Sequence, residues 1–130
     1  MQKYSRIIST GSYLPEKILT NKDLEKMVDT SDEWIIERTG IESRHIASED
    51  ESSVDMAYNA SINAIKNADI NPNAIDMIIV ATTTPERKFP STAVLLQNKL
   101  KNNRAFAFDL NAACTGFIYA LDIANTYIKN

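Results

Sequence analysis

Three observations predict an α/β fold with a mixed, mainly parallel sheet flanked by helices. Strand-like and helix-like patterns alternate along the 130 residues in the order β-α-α-α-β-α-β-α. Residues 75–82 form a continuously apolar run, the pattern of a parallel strand covered on both faces. The composition, 44% apolar and 24% charged, is that of an ordinary globular chain and argues against disorder or fibrous repeats. The length suits one domain and is short for two.

Each element has a local reason. Arg6-Ile7-Ile8-Ser9-Thr10 reads as a short strand, broken by Gly11 and then Pro15. Thr20-Asn21 caps a short helix over residues 22–28, with Asp23 and Glu25 favourable in its first turn. Thr30 and Glu33 stand at capping-box spacing and start a second helix, which runs to about Thr39. Gly40 then supplies a left-handed end. Ser52 and Ser53 open a longer helix whose apolar or small positions, from Val54 and Ala57 to Ile65 and Ala68, recur at threes and fours. Asn71-Pro72-Asn73 closes it. After the strand over 75–82, Thr83-Thr84-Pro85 and a loop with Phe89-Pro90 lead to a helix capped by Ser91 and ending near Lys101. Residues 105–108 form a third strand, and a last helix covers about 115–129.

Composition also excludes function classes. Fourteen basic and seventeen acidic residues give a net charge of −3, without the basic surplus of a nucleic-acid or membrane-surface binder. One cysteine rules out an intramolecular disulfide and a multi-cysteine zinc site, and one histidine rules out a His-pair metal site. Glycines at 11, 40 and 116 are too few for a dinucleotide fingerprint or a P-loop. The run Met77-Ile78-Ile79-Val80-Ala81 is too short to cross a bilayer, and residues 1–4 lead into no signal-peptide core. A soluble, cytoplasmic chain without nucleic-acid or membrane partner is expected.

The last helix asks for more protein. Phe117, Ile118, Leu121, Ile123, Tyr127 and Ile128 leave little of its circumference polar, and such a helix is normally buried on several sides. The expectation is a half-domain, residues 1–130, of something larger.

Cys114 is the residue best placed for chemistry. It lies between a strand and a helix start, flanked by Ala112-Ala113 and Thr115-Gly116, so small neighbours leave its sulfur approachable. The positive end of the helix dipole favours a thiolate there. The alternative is an inert buried thiol. His45, the one histidine, is brought to Cys114 by no sequence feature and reads as structural. Trp34 and Arg38 are four apart and share a helix face, where indole and guanidinium form a platform for a flat base and a phosphate. The alternative is an anchoring Trp beside a solvated Arg. Asp32, Glu33 and Glu37 read as a solvated face. Phe89 is a large apolar residue in a polar loop, either folded onto its own core or reaching a partner subunit.

Asp109-Leu110-Asn111-Ala112-Ala113-Cys114-Thr115-Gly116-Phe117 resembles the active-site cysteine segment of β-ketoacyl-acyl carrier protein synthase III. Thr10-Gly11-Ser12-Tyr13-Leu14-Pro15 is similar to that family's first strand and turn. The segment from Asp29 to Ile35, continued by Arg38-Thr39-Gly40-Ile41 and Arg44-His45, is similar to its signature after the first helix. Ser9 stands where glycine is usual, and Thr115 where alanine or serine is commoner.

The resemblance implies the N-terminal half of a thiolase-like fold, in a bacterial enzyme that initiates fatty acid synthesis. An acyl group would pass from acyl-CoA, a substrate and not a resident cofactor, to Cys114, then condense with malonyl-acyl carrier protein as carbon dioxide leaves. The Cys114 backbone N–H would be half of the oxyanion hole. Trp34 would stack on the adenine of coenzyme A, Arg38 would contact its phosphates, and Thr30 would bond near the adenine. Phe89 would cross a homodimer interface and shape the partner's acyl pocket. The family's catalytic histidine and asparagine belong to its second half, so condensation by these 130 residues alone is not expected. A non-catalytic coenzyme A-binding module and an inactive fragment are the competing readings.

Overall fold

The structure, a computed structural model, describes residues 4–130. It comprises two compact units: Leu14–Ser52 is one, and Ser53–Asn130 with the described part of Met1–Tyr13 is the other.

In the smaller unit, strand β1 (Lys17–Thr20) runs antiparallel to β2 (Ser43–Ile46), with Ile18 opposite His45. Neither strand is marked in the sequence by alternation, because each is only four residues long and the partner lies more than twenty residues away. Between them lie helices α1 (Asn21–Leu24) and α2 (Asp32–Thr39). Thr20 caps α1 as expected, in a reciprocal box with Asp23: the Asp23 N–H donates to Thr20 Oγ1, and the Thr20 N–H and hydroxyl both donate to Asp23. Those bonds, the Thr20 hydroxyl first, with help from Lys26, hold the Asp23 carboxyl down at about 2. Helix α1 itself is shorter than expected, giving way to turns after Leu24. The cap of α2 is Ser31 and not Thr30: Ser31 is extended and its Oγ accepts from the Trp34 N–H at 3.1 Å. A cap must have non-helical backbone one position before the helix, and Ser31 fills that place. Gly40 ends α2 at φ 70°, as its position predicts.

In the larger unit the order is α3 (Ser53–Ala68), β3 (Met77–Ala81), α4 (Thr92–Lys99), β4 (Phe106–Leu110) and α5 (Gly116–Lys129). Single 3₁₀ turns at Pro72–Ala74 and Ala113–Thr115 precede β3 and α5. Strands β3 and β4 pair in parallel, Ile78 beside Ala107 and Val80 beside Asp109. The apolar run thus forms a parallel strand as predicted. Helices α3 and α4 cover the face carrying Ile78 and Val80, where Ala93, Leu96, Leu100 and Ala105 make the buried core. The face of α3 that meets them is the predicted one, with Ala57, Tyr58, Ile62 and Ile65. Ser91 caps α4, accepting from the Val94 N–H.

The strand expected over residues 6–10 does not form. A strand exists only where an aligned backbone supplies the ladder, and here the segment meets α3 through single side chain–backbone bonds instead. Ser9 Oγ donates to the Ala64 carbonyl at 2.8 Å. Asn67 Nδ2 donates to the Thr10 carbonyl, and Asn63 Nδ2 to that of Ser12. The segment can lie this close because residue 11 is glycine: a Cβ there would sit 2.3 Å from both the Ala60 oxygen and the Ala64 nitrogen. Helix α5 crosses the other face of β3, and Phe117, Ile118, Tyr119, Leu121, Tyr127 and Ile128 remain exposed on it. Among the described residues no helix is long and apolar enough to cross a membrane.

Candidate functional site

Cys114 stands in the one-turn 3₁₀ helix between the end of β4 and the start of α5, and it is exposed. The thiol is thus not buried, as the alternative reading would have it. The turn is tightly built. Thr115 Oγ1 and the Thr115 N–H both donate to the Ala112 carbonyl, at 2.9 and 3.1 Å. Ala113 has φ 43°, in the left-handed region that L residues other than Asn and Asp seldom occupy. Strain of this kind, of order 1–3 kcal/mol, persists only where its surroundings over-determine it, and it gathers at functional sites. Here it turns the backbone between strand and helix at the residue before the thiol. Gly116 completes the turn from below: it is buried, and a Cβ on it would meet the Ala81 Cβ at 3.1 Å. Small residues around Cys114 therefore serve two ends, leaving its sulfur open and letting α5 press onto β3.

Two side chains fix the strand that delivers Cys114, and neither was singled out from the sequence. Asn102, 2% exposed, donates from Nδ2 to the Pro72 and Ile75 carbonyls and accepts at Oδ1 from the Arg104 and Ala105 N–H groups. It ties the segment before β3 to the segment before β4. Asp109, on β4, accepts the Thr92 N–H at 2.9 Å and the Ala93 N–H at 2.7 Å, so it holds the first turn of α4. A turn-forming Asn after a helix is a readable signal. An acid in mid-strand capping a helix sixteen residues earlier is not.

In the smaller unit, Trp34 and Arg38 do share a face of α2. The guanidinium carbon lies 5.0 Å from the indole centroid, within cation–π range. Trp34 is half exposed and with Asp29, Thr30 and Ser31 lines an open pocket. The platform is held by a polar network around the buried Asn21, which no local sequence pattern announces. Asn21, 1% exposed, donates to Asp32 Oδ1 and to the Ile41 carbonyl, and accepts from Arg44, which also donates to the Leu19 carbonyl. Glu25 accepts the Asp32 N–H. Both ends of α2 are thereby tied to the strands. His45 Nδ1 is 2.5 Å from the Pro15 carbonyl, a structural engagement. Phe89 is 88% exposed in the loop before α4, so it does not fold onto its own core.

The larger unit is of the α/β class, with an exposed cysteine on the turn from a parallel strand into a helix. Within that class, the family model for 3-oxoacyl-[acyl-carrier-protein] synthase III matches residues 108–130, the segment that contains Cys114. The chain is 55% identical over 127 residues to β-ketoacyl-[acyl-carrier-protein] synthase III of Xanthomonas oryzae pv. oryzae, covering 98% of this chain and 39% of that one. It is 58% identical to β-ketoacyl-[acyl-carrier-protein] synthase III 1 of Vibrio parahaemolyticus, again over 98% of this chain and 40% of the relative. Among solved structures, 3-oxoacyl-[acyl-carrier-protein] synthase III of Aquifex aeolicus superposes with a TM-score of 0.91 at 56% identity, covering 95% of this chain and 40% of that one. The priming β-ketosynthase of a polyketide pathway superposes at 0.93 with 38% identity, over 98% of this chain and 38% of its own. The resemblance read from the motifs thus extends along nearly the whole chain. The chain spans about two-fifths of the length of the curated relatives it matches.

Proposed function

We propose that Cys114 is the acyl acceptor of a β-ketoacyl-acyl carrier protein synthase III, the enzyme that starts fatty acid chains in the cytoplasm. The observation that carries this reading is the exposed thiol on a strained strand-to-helix turn, inside the segment the family model matches. The Cys114 sulfur attacks the thioester carbonyl of a short acyl-CoA, with the negative oxygen taken by N–H donors that include Cys114's own. The C–S bond to coenzyme A then breaks, the acyl group stays on Cys114, and the thiol proton leaves with the released coenzyme A thiol. Trp34 stacks on the adenine, Arg38 meets the phosphates and Thr30 bonds at the adenine edge. The 5.0 Å Arg38–Trp34 contact supports this assignment, since it holds a cation beside an aromatic face. In the whole enzyme the acyl group condenses with malonyl-acyl carrier protein, and Phe89 reaches across a homodimer to the partner's acyl pocket.

Acylation is the half of the reaction that these residues can carry. On the family resemblance, condensation draws on a histidine and an asparagine of the family's second half, and His45, whose Nδ1 meets the Pro15 carbonyl, is not proposed for that step. The test is incubation with acetyl-CoA followed by peptide mass analysis: one acetyl group on the Cys114 peptide, none in Cys114→Ala. A second reading, coenzyme A binding without chemistry, draws on the Trp34–Arg38 platform. It gains if binding survives Cys114→Ala and fails in Trp34→Ala while no acetyl group transfers.

A further inference from the structure

We infer that Asp109 is a positioning residue that sets the acyl-accepting geometry of Cys114, an inference that rests on the reading of Cys114 as acyl acceptor. Asp109 lies on β4, five residues before the thiol, with its two carboxylate oxygens on successive donors: Oδ2 on the Thr92 N–H at 2.9 Å and Oδ1 on the Ala93 N–H at 2.7 Å. Both donor residues are buried, at 2% and 0% exposure. Helix α4 already has its own cap, because Ser91 Oγ accepts from the Val94 N–H. A strand carboxylate is therefore more than a helix cap here. It adds charge-assisted bonds to the positive end of α4, and it anchors the last stretch of β4 to a second, buried element.

The anchored points bracket the candidate site. Downstream of Asp109 the chain makes the Ala113 turn and presents Cys114; upstream of Thr92, three residues away, stands the exposed Phe89. One carboxylate thus fixes the thiol's strand against the helix that begins beside the Phe89 loop. Asparagine in its place keeps one acceptor and turns a donor toward the other N–H, so the end of β4 loses its fixed distance from α4. A displacement of the nucleophile of even a fraction of an ångström slows attack on a thioester more than it slows reaction with a small, freely approaching reagent.

The experiment compares the 130-residue chain with Asp109→Asn, Asp109→Glu and Ser91→Ala. Cys114 acetylation is followed by intact mass over a range of acetyl-CoA concentrations, iodoacetamide alkylation in parallel, and Tm by circular dichroism. In Asp109→Asn the limiting acetylation rate should fall about tenfold with the half-saturating concentration unchanged, while alkylation stays within about twofold. Ser91→Ala, which loosens the same helix start from the other side, should lower Tm and leave acetylation alone. Asp109→Glu, with both acceptors on a longer arm, should recover part of the rate, and it replaces Asp109→Asn if that variant does not fold. Equal acetylation in the Asp109 variants and the unaltered chain overturns the inference. So does a parallel fall of acetylation, alkylation and Tm, or a Ser91→Ala chain slowed as much as Asp109→Asn. If the unaltered chain takes no acetyl group at Cys114, the reading of Cys114 as acyl acceptor has failed, and the inference falls with it.

Discussion

Replacing Asn102 by alanine should cost more stability than any other single polar substitution in the larger unit. Its side chain makes four hydrogen bonds between 2.7 and 2.9 Å, using both amide hydrogens and the oxygen twice. At a net value of about 1 kcal/mol per bond, the four contribute about 4 kcal/mol. Water can reach the Pro72, Ile75 and Arg104 groups once the side chain is gone, which softens part of the loss. It cannot easily reach the Ala105 N–H, on a residue 7% exposed, and an orphaned donor there costs a further 1–3 kcal/mol or so. The expected loss is therefore about 3–4 kcal/mol, from a total that for ordinary domains is about 5–15 kcal/mol. Urea unfolding followed by far-ultraviolet circular dichroism measures it, and exchange of the Phe106 to Leu110 amides localises it to the β3–β4 ladder. Asn102→Asp should also destabilise, since a carboxylate keeps the two N–H donors but faces the Pro72 and Ile75 carbonyls. A loss below about 1 kcal/mol in Asn102→Ala would refute the claim that this residue joins the two strand starts.

Other expectations follow from equally local geometry. Gly11→Ala places a methyl 2.3 Å from backbone atoms of α3, so residues 9–12 must lift from the helix; a loss of about 1–3 kcal/mol in urea unfolding is expected, and a neutral result contradicts the close approach. Lys101 holds φ 54° at the end of α4, so Lys101→Gly should stabilise by about 1 kcal/mol, read as a rise in the urea midpoint. Asp23 titrates at about 2 against an ordinary 3.8; because the folded value is the lower one, its contribution is present above pH 4 and is lost as pH falls toward 2. In Thr20→Val an NMR titration should find Asp23 moved back toward 3.8, and no movement would deny the capping box its role.

What could be read in the sequence was what short-range chemistry determines. The Thr20 and Ser91 caps, the left-handed Gly40, the apolar face of α3 and the parallel β3 all depend on neighbours within a few residues, and they stand where the patterns placed them. Elements that need a distant partner were not legible. The β1–β2 pair joins Lys17 to Ile46, and nothing local announces it. The residue 6–10 segment has strand-forming side chains, yet its neighbours are the Asn63, Ala64 and Asn67 groups of a helix. The same division holds at the candidate site. Cys114 among small residues and Trp34 four positions before Arg38 were visible as patterns. The side chains that hold them, Asn21, Asn102 and Asp109, act across eleven to thirty residues, with fixed hydrogen-bond geometry that only the folded chain displays.

The most direct test is the position of the acyl group after brief exposure of the chain to acetyl-CoA. Peptide mass analysis should find one acetyl group, on the peptide containing Cys114, labile to hydroxylamine as a thioester must be and missing from Cys114→Ala. An unmodified Cys114, or acetyl groups that persist in Cys114→Ala, would contradict the assignment of the strand-to-helix turn as an acyl-accepting site.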